Sequence, residues 1–318
     1  MISWIILLAL FLISLLVLIK AADVFVENLV EIGSYLGISQ IILGITVAAG
    51  GTSLPEFGSA IISVLTGSPD LGVGVVIGSN IWNIAGIIGI AATISCVITT
   101  NRDEIRRDGL MVLFTSLILL FFMFLGTINA IAGIILISIY VVYLYVLIQK
   151  QRKYSKTHVN NHKTEKKSLN HKIILLTIIS FVALIIAART LVFSAVEIAH
   201  LAQIPEMIVG LFGLAIGTSM AELVVTVASA RKKMCNLAVG TVLGSNIFNI
   251  LIGIGIPALF VNIPIEPLSI LIDAPVLIIV TIILLFFMRS KMELSRWEGL
   301  TLLGIYAAYA IIRIFVLN

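Results

Sequence analysis

Two glutamates lie in matching segments of the chain, and their position suggests that they bind a cation inside a membrane. Glu56 and Glu222 each end a Gly-Thr-Ser-x-x-Glu segment, at 51–56 and 217–222. Each glutamate falls about midway along a long apolar stretch. A carboxylate at that depth of a bilayer is costly unless it faces a cavity or a partner, so such residues are functional candidates.

A second repeated segment, Gly-Ser-Asn-Ile-x-Asn at 78–83 and 244–249, adds neutral oxygens. Its serine and second asparagine are four residues apart and share one helix face. The hydroxyls of the Thr-Ser pairs lie about one turn from each glutamate, and the nearby glycines and Pro55 predict a helix break that frees the carbonyls of Ala49 and Ala215. The predicted ligand set is Ala49, Thr52, Ser53, Glu56, Ser79, Asn83, Ala215, Thr218, Ser219, Glu222, Ser245 and Asn249.

This set offers only oxygen ligands, with no His or Cys among them. Carboxylate, hydroxyl, amide and carbonyl oxygens favour Ca²⁺, Na⁺ or Mg²⁺ over zinc or copper. Ca²⁺ accepts a flexible shell of oxygens and its charge matches two glutamates, whereas Mg²⁺ fits less well because it keeps its waters. Back-bonding to the helix or close helix packing would explain an isolated Ser79 or Ser245. Neither explains two glutamates placed identically in two segments.

The composition requires lipid as the solvent for much of the chain. Hydrophobic residues make up 60% of the 318 residues, charged residues 11%, and the mean hydropathy is +1.19. A soluble domain is about half apolar and a quarter charged. The net charge of +4 lies in short connectors rather than in a basic stripe, which excludes a nucleic-acid-binding surface.

Polar residues, glycines and prolines interrupt the apolar sequence and divide the chain into ten predicted membrane spans. They are roughly 2–33, 39–66, 71–97, 108–125, 128–149, 172–202, 205–230, 236–261, 268–288 and 297–316. Of the 20 Lys and Arg residues, all but Lys20, Arg189 and Arg313 fall in the third, fifth, seventh and ninth gaps. The positive-inside rule then places the odd-numbered gaps in the cytoplasm and both termini outside.

Both repeated segments recur at a constant offset of 166 residues, which predicts a duplicated five-helix unit. The predicted fold is an all-α polytopic membrane protein with a first repeat at 1–149, a polar cytoplasmic linker at 150–171 and a second repeat at 172–318. Because five is odd, the second copy enters the membrane in the opposite direction. Inverted repeats of this kind are the architecture of many secondary transporters.

With these features the sequence resembles the cation/calcium exchanger superfamily, in particular its prokaryotic sodium/calcium exchangers, over nearly the whole chain. The resemblance implies that Glu56 and Glu222 coordinate Ca²⁺ and that the same oxygens take Na⁺ in the competing state. Three features depart from the family pattern. In the first segment Gly50 doubles the glycine at Gly51, where the second half has Ile216. Asn249 stands where the well-studied sodium/calcium members have Asp, and Ala221 replaces the usual Pro before the second glutamate. The site therefore has two formal negative charges instead of three.

The resulting prediction is a secondary active antiporter that exchanges Ca²⁺ for Na⁺ by alternating access, multi-pass in a plasma membrane. The alternative is a Ca²⁺/H⁺ antiporter in which the glutamates are protonated; a passive cation channel is disfavoured by the inverted repeat. No Ser-His or His-Glu-x-x-His arrangement indicates an enzyme, and no cofactor is expected. The expected partners are membrane lipid and the transported cations, Ca²⁺ and Na⁺ or H⁺. The sequence does not specify an oligomeric state.

Overall fold

The structure is a computed structural model that describes residues 4–65, 69–95, 97–99, 102, 105–159, 171–202, 216–290 and 292–315. In the first half the helices are α1 (Trp4–Leu36), α2 (Gln40–Thr52), α3 (Leu54–Leu65), α4 (Pro69–Ile81, continued by Trp82–Ile87 and Ile88–Ser95), α5 (Ile105–Phe124) and α6 (Ala130–Val159). In the second half they are α7 (His171–Leu201), α8 (Met220–Arg231), α9 (Cys235–Leu259), α10 (Ser269–Ser290) and α11 (Arg296–Phe315).

The helical, multi-pass character predicted from the sequence is confirmed. Lipid offers no hydrogen-bond partners to a backbone, so an apolar chain of this kind forms helices that satisfy their own groups. Within the described ranges, seven helices are long and apolar enough to cross a membrane, or eight when the bent pair α2 and α3 counts as one span. The ten predicted spans are thus matched in part. Predicted span 205–230 begins outside the described residues, and α11, at the tenth span, is not among these helices.

Two short antiparallel strand pairs join distant connectors, and the all-α prediction omits them. Strand β1 (Val97–Thr99) pairs with β4 (Glu293–Ser295), with Val97 opposite Ser295. Strand β2 (Thr127–Ile128) pairs with β3 (Ile263–Pro264), with Thr127 opposite Pro264. Strands this short contain too few residues for an alternation of apolar and polar side chains to reveal them in the sequence. Each one forms only because a distant connector supplies the hydrogen-bonding partner.

The helices differ in how much of their surface the protein covers. In α4 and α9, 83% and 89% of the most apolar window is buried, against 28% in α1 and 22% in α7. The helices that carry the Gly-Ser-Asn-Ile-x-Asn segments therefore form the centre. Helices α1 and α7 pack against each other at the periphery, where the Phe25 and Phe181 ring centroids are 5.6 Å apart. Both helices expose apolar side chains on the outer surface of the protein.

The predicted linker 150–171 is helical at its start. Helix α6 continues past residue 149 to Val159, and residues 160–170 lie outside the described ranges. The Gln151 side chain anchors this extension, because its Nε2 donates to the Gly37 carbonyl at 2.5 Å and its Oε1 accepts from the Ser39 N–H at 3.3 Å. The end of α6 is thereby tied to the connector between α1 and α2.

Candidate cation site

A helix break precedes each of the two glutamates. Helix α2 ends at Thr52 and α3 begins at Leu54, with a 42° bend between them. Ser53, at the break, has φ −82° and ψ 5°, and Ser219, immediately before α8, has φ −89° and ψ 17°. The same local break therefore forms in both segments, although the second has Ala221 where the first has Pro55.

The breaks bring each glutamate against the serine of the other segment. Glu56 Oε1 accepts a hydrogen bond from Ser219 Oγ at 2.8 Å, and Glu222 Oε1 accepts one from Ser53 Oγ at 3.0 Å. All four side chains are fully buried. The two halves of the chain thus meet at one site, with each half supplying a carboxylate that the other half positions.

Six buried oxygens of the predicted ligands lack a hydrogen-bond partner among the described residues, and they form three pairs at the 166-residue offset. They are Oε2 of Glu56 and Glu222, Oγ of Ser79 and Ser245, and Oδ1 of Asn83 and Asn249. A buried polar atom without a partner is costly, and native proteins almost always satisfy it. Carboxylate, hydroxyl and amide oxygens of this kind suit a hard cation, since Ca²⁺ takes six to eight oxygen ligands.

The other predicted ligands are placed less directly. Thr52 Oγ1 donates back to the Ala48 carbonyl at 2.9 Å, and the Ala49 carbonyl accepts the Ser53 N–H at 3.0 Å. The Ala49 carbonyl thus keeps a helical hydrogen bond across the break and also accepts from Thr52 Oγ1 at 3.4 Å. Its role as a cation ligand stays a prediction. Thr218 lies half-buried beside Ser219, and Ala215 lies outside the described residues.

Three glycines outside the predicted ligand set bring α2 into backbone contact with α9. A Cβ at Gly44 would lie 2.7 Å from the Leu237 carbonyl oxygen, and one at Gly240 would lie 2.7 Å from that of Ile41. At Gly244 a Cβ would lie 2.6 Å from both Cα and O of Ile45. Small residues allow membrane helices to approach this closely. The signal was present in the sequence, because Gly240 and Gly244 repeat Gly74 and Gly78 at the same offset.

Asn80 and Asn246, which were not predicted as ligands, also belong to the site. Each is fully buried, and each bonds to the segment of the other half, through contacts of 3.1 to 3.2 Å. The available signal was their recurrence in both copies of the segment, next to the predicted serine ligand.

The fold and this buried oxygen cluster define the class: a multi-pass membrane protein with an internal site suited to a hard cation. The family model "Sodium/calcium exchanger protein" matches the chain twice, over residues 6–149 and 172–315. The chain belongs to this sodium/calcium exchanger family, a family of secondary transporters and not of enzymes.

Relatives match almost end to end. The sodium/calcium exchanger MaX1 of Methanosarcina acetivorans is 30% identical over 342 aligned positions, which cover 96% of this chain and 97% of MaX1. The inner membrane protein YrbG of Escherichia coli is 32% identical, with 93% of each chain covered. Among solved structures, the sodium-calcium exchanger NCX_Mj, soaked with Na⁺ and Ca²⁺, superposes with a TM-score of 0.82 at 26% identity, covering 98% of this chain and 99% of that one.

Proposed function

We propose that this protein exchanges Ca²⁺ for Na⁺ across the plasma membrane at one buried site by alternating access. The observation that carries the proposal is the set of six buried oxygens without a hydrogen-bond partner, which includes one from each of two fully buried glutamates in different halves of the chain. The names of MaX1 and NCX_Mj, both sodium/calcium exchangers, support the choice of ions.

The two ions compete because they need the same ligands. Two glutamates match the charge of one Ca²⁺, and Na⁺ binds the same hard oxygens when Ca²⁺ has left. A site with two unneutralised carboxylates can switch its access from one side of the membrane to the other only at high cost. Either Ca²⁺ or Na⁺ must therefore be bound during each conformational change. The proposed ligands are Ala49, Thr52, Ser53, Glu56, Ser79, Asn83, Ala215, Thr218, Ser219, Glu222, Ser245 and Asn249.

The proposed architecture is ten spans in two inverted five-helix repeats, 1–149 and 172–318, joined by the linker 150–171. The two separate matches to one family model, at 6–149 and 172–315, support this division. So do the reciprocal Ser–Glu bonds, in which every residue has its counterpart 166 positions away. The strand pairs follow the same relation, because β1 and β2 correspond to β3 and β4 at that offset.

The proposed orientation places both termini outside the cell. Strands β1 and β4 both lie in gaps assigned to the cytoplasm, and β2 and β3 both lie in gaps assigned to the exterior, so each pairing is consistent with the charge pattern. The ion pairs of Lys232 with Asp23 and Glu27 likewise join α1 to a connector assigned to the cytoplasm.

The deciding experiment follows ⁴⁵Ca²⁺ uptake into vesicles containing the purified protein. We expect an outward Na⁺ gradient to drive uptake with the pH clamped on both sides. Uptake that responds only to a proton gradient would establish the Ca²⁺/H⁺ antiporter instead. Uptake that needs no counter-gradient and follows the membrane potential would indicate a channel.

Removing either cross-half serine should weaken Ca²⁺ binding. Ser53→Ala and Ser219→Ala each delete the hydroxyl that donates to Oε1 of the opposite glutamate. Losing a hydrogen bond to a charged group costs about 1.5 kcal/mol, or about tenfold in affinity. Equilibrium ⁴⁵Ca²⁺ binding to purified protein measures the change. Ser138→Ala is the matched control, since Ser138 is exposed and donates to its own helix at Ile134. Unchanged affinity in both site variants would contradict the assignment.

A further inference from the structure

Asn80 and Asn246 join α4 to α9 through reciprocal hydrogen bonds. Nδ2 of Asn80 donates to the backbone carbonyl of Asn246 at 3.2 Å, and Nδ2 of Asn246 donates to the backbone carbonyl of Asn80 at 3.1 Å. Both side chains are fully buried, so water does not compete for these bonds. The two central helices are therefore held in a fixed register beside the cation ligands.

The oxygen atoms of the same two side chains hold the neighbouring asparagines. Oδ1 of Asn80 accepts from Nδ2 of Asn249 at 3.1 Å, and Oδ1 of Asn246 accepts from Nδ2 of Asn83 at 3.1 Å. Each of these bonds crosses from one half of the chain to the other. The four residues thus form a closed set, called here the asparagine ring.

The asparagine ring decides which end of two amides is available to a cation. A primary amide carries an oxygen acceptor at one end and an NH₂ donor at the other, and only the oxygen can ligate a cation. Because the amide nitrogens of Asn83 and Asn249 are engaged in the ring, their Oδ1 atoms are the ends left without a partner. Those two atoms belong to the six oxygens of the site.

The asparagine ring also disfavours a carboxylate at position 249. An ionised Asp there would set one of its oxygens at about hydrogen-bond distance from Oδ1 of Asn80, with two acceptors facing each other. Rotating the Asn80 amide by half a turn would present its NH₂ group to that Asp. The same rotation would place Oδ1 of Asn80 against the Asn246 carbonyl oxygen, which is also an acceptor. The same reasoning applies to Asn83 and Asn246.

We infer that Asn80 and Asn246 are positioning residues that direct the amide oxygens of Asn249 and Asn83 toward the transported cation and keep the site's charge at that of its two glutamates. The inference rests on the proposed function, since it requires the site to bind Ca²⁺. It assigns a specificity role to two residues that are not themselves ligands.

A double-mutant cycle tests this role by equilibrium ⁴⁵Ca²⁺ binding to the purified full-length protein. Asn80→Ala should weaken Ca²⁺ binding about tenfold in the wild-type background, and by less than about twofold when Asn249→Ala is already present. Asn80→Ala combined with Asn83→Ala should instead give effects that add, because Asn80 orients Asn249 and not Asn83. A residue that only stabilises the fold would give additive losses in both cycles, and that result overturns the inference.

Further variants separate the possible failures. Asn80→Leu keeps roughly the side-chain volume if Asn80→Ala is poorly folded, and the cycle of Asn246→Ala with Asn83→Ala repeats the test in the other half. Asn28→Ala is the control, because the Asn28 amide donates to the Val24 carbonyl within α1. The Asn28→Ala protein should bind Ca²⁺ like the wild type. Wild-type protein that fails to bind Ca²⁺ refutes the proposed function. Wild-type affinity in both Asn80 variants refutes the positioning role alone.

Discussion

Glu56→Gln and Glu222→Gln should each abolish Na⁺-driven Ca²⁺ uptake. Glutamine keeps an oxygen that accepts from the opposite serine, so the cross-half bond and the packing are retained. It places an NH₂ group where Oε2 of the glutamate has no partner. That group cannot ligate a cation, and the remaining carboxylate balances only half of the Ca²⁺ charge.

The expected loss is large because the charges are buried. Removing one charged partner from a buried group of interacting charges costs about 3 to 5 kcal/mol, which corresponds to a loss of more than about 100-fold in affinity. The measurement is ⁴⁵Ca²⁺ uptake into vesicles, with the amount of folded protein checked by gel filtration. The matched control is Glu31→Gln on α1, an exposed glutamate that should transport normally. Full transport in both site variants would refute the site.

Gly244→Ala should cause the second large loss, in transport and in stability together. The added methyl would lie 2.6 Å from Cα and O of Ile45 and 2.8 Å from Cβ of Ala49. The backbone of α2 cannot move aside without separating α2 from α9, and these helices carry ligands from both halves. Overpacking of this kind costs about 1 to 3 kcal/mol.

Thermal unfolding of the purified protein and uptake into vesicles measure the two effects. Gly304→Ala is the control, because a Cβ at Gly304 on α11 would meet nothing within 4 Å. Alanine also favours helix more than glycine does, so the control should unfold at the same or a higher temperature. A Gly244→Ala protein with wild-type stability and uptake would show that the close contact of α2 with α9 is not required.

The strongest sequence predictions rest on local properties of the chain. Apolar run length specifies a helix in lipid whatever its neighbours are. In the described residues, seven of the ten predicted spans, with the bent pair as an eighth, are helices long and apolar enough to cross a membrane. The membrane depth of Glu56 and Glu222 is equally local, since it depends on their place along an apolar run. In the structure both side chains are fully buried in the protein.

The identity of each residue's partner could not be read from the sequence. The offset of 166 residues shows that Glu56 corresponds to Glu222, but it does not show that each glutamate bonds to the other half's serine. The strands β1 to β4 were missed for the same reason, because each is completed by a connector far away in the chain. The helical bond that keeps the Ala49 carbonyl occupied was missed because the helix break falls four residues later, at Ser53.

The sequence by itself thus determined that this is a membrane protein in which two oxygen-rich segments, one of them with a glutamate, recur at a constant offset. Hydropathy, charge and repetition are properties of the chain taken in order. Only the tertiary structure decided how the two repeated segments contact each other. The glycine contact of α2 with α9, the cross-half Ser–Glu bonds and the asparagine ring all depend on distances of a few ångströms between residues far apart in the sequence. Such distances follow from how helices pack, and no spacing along the chain encodes them directly.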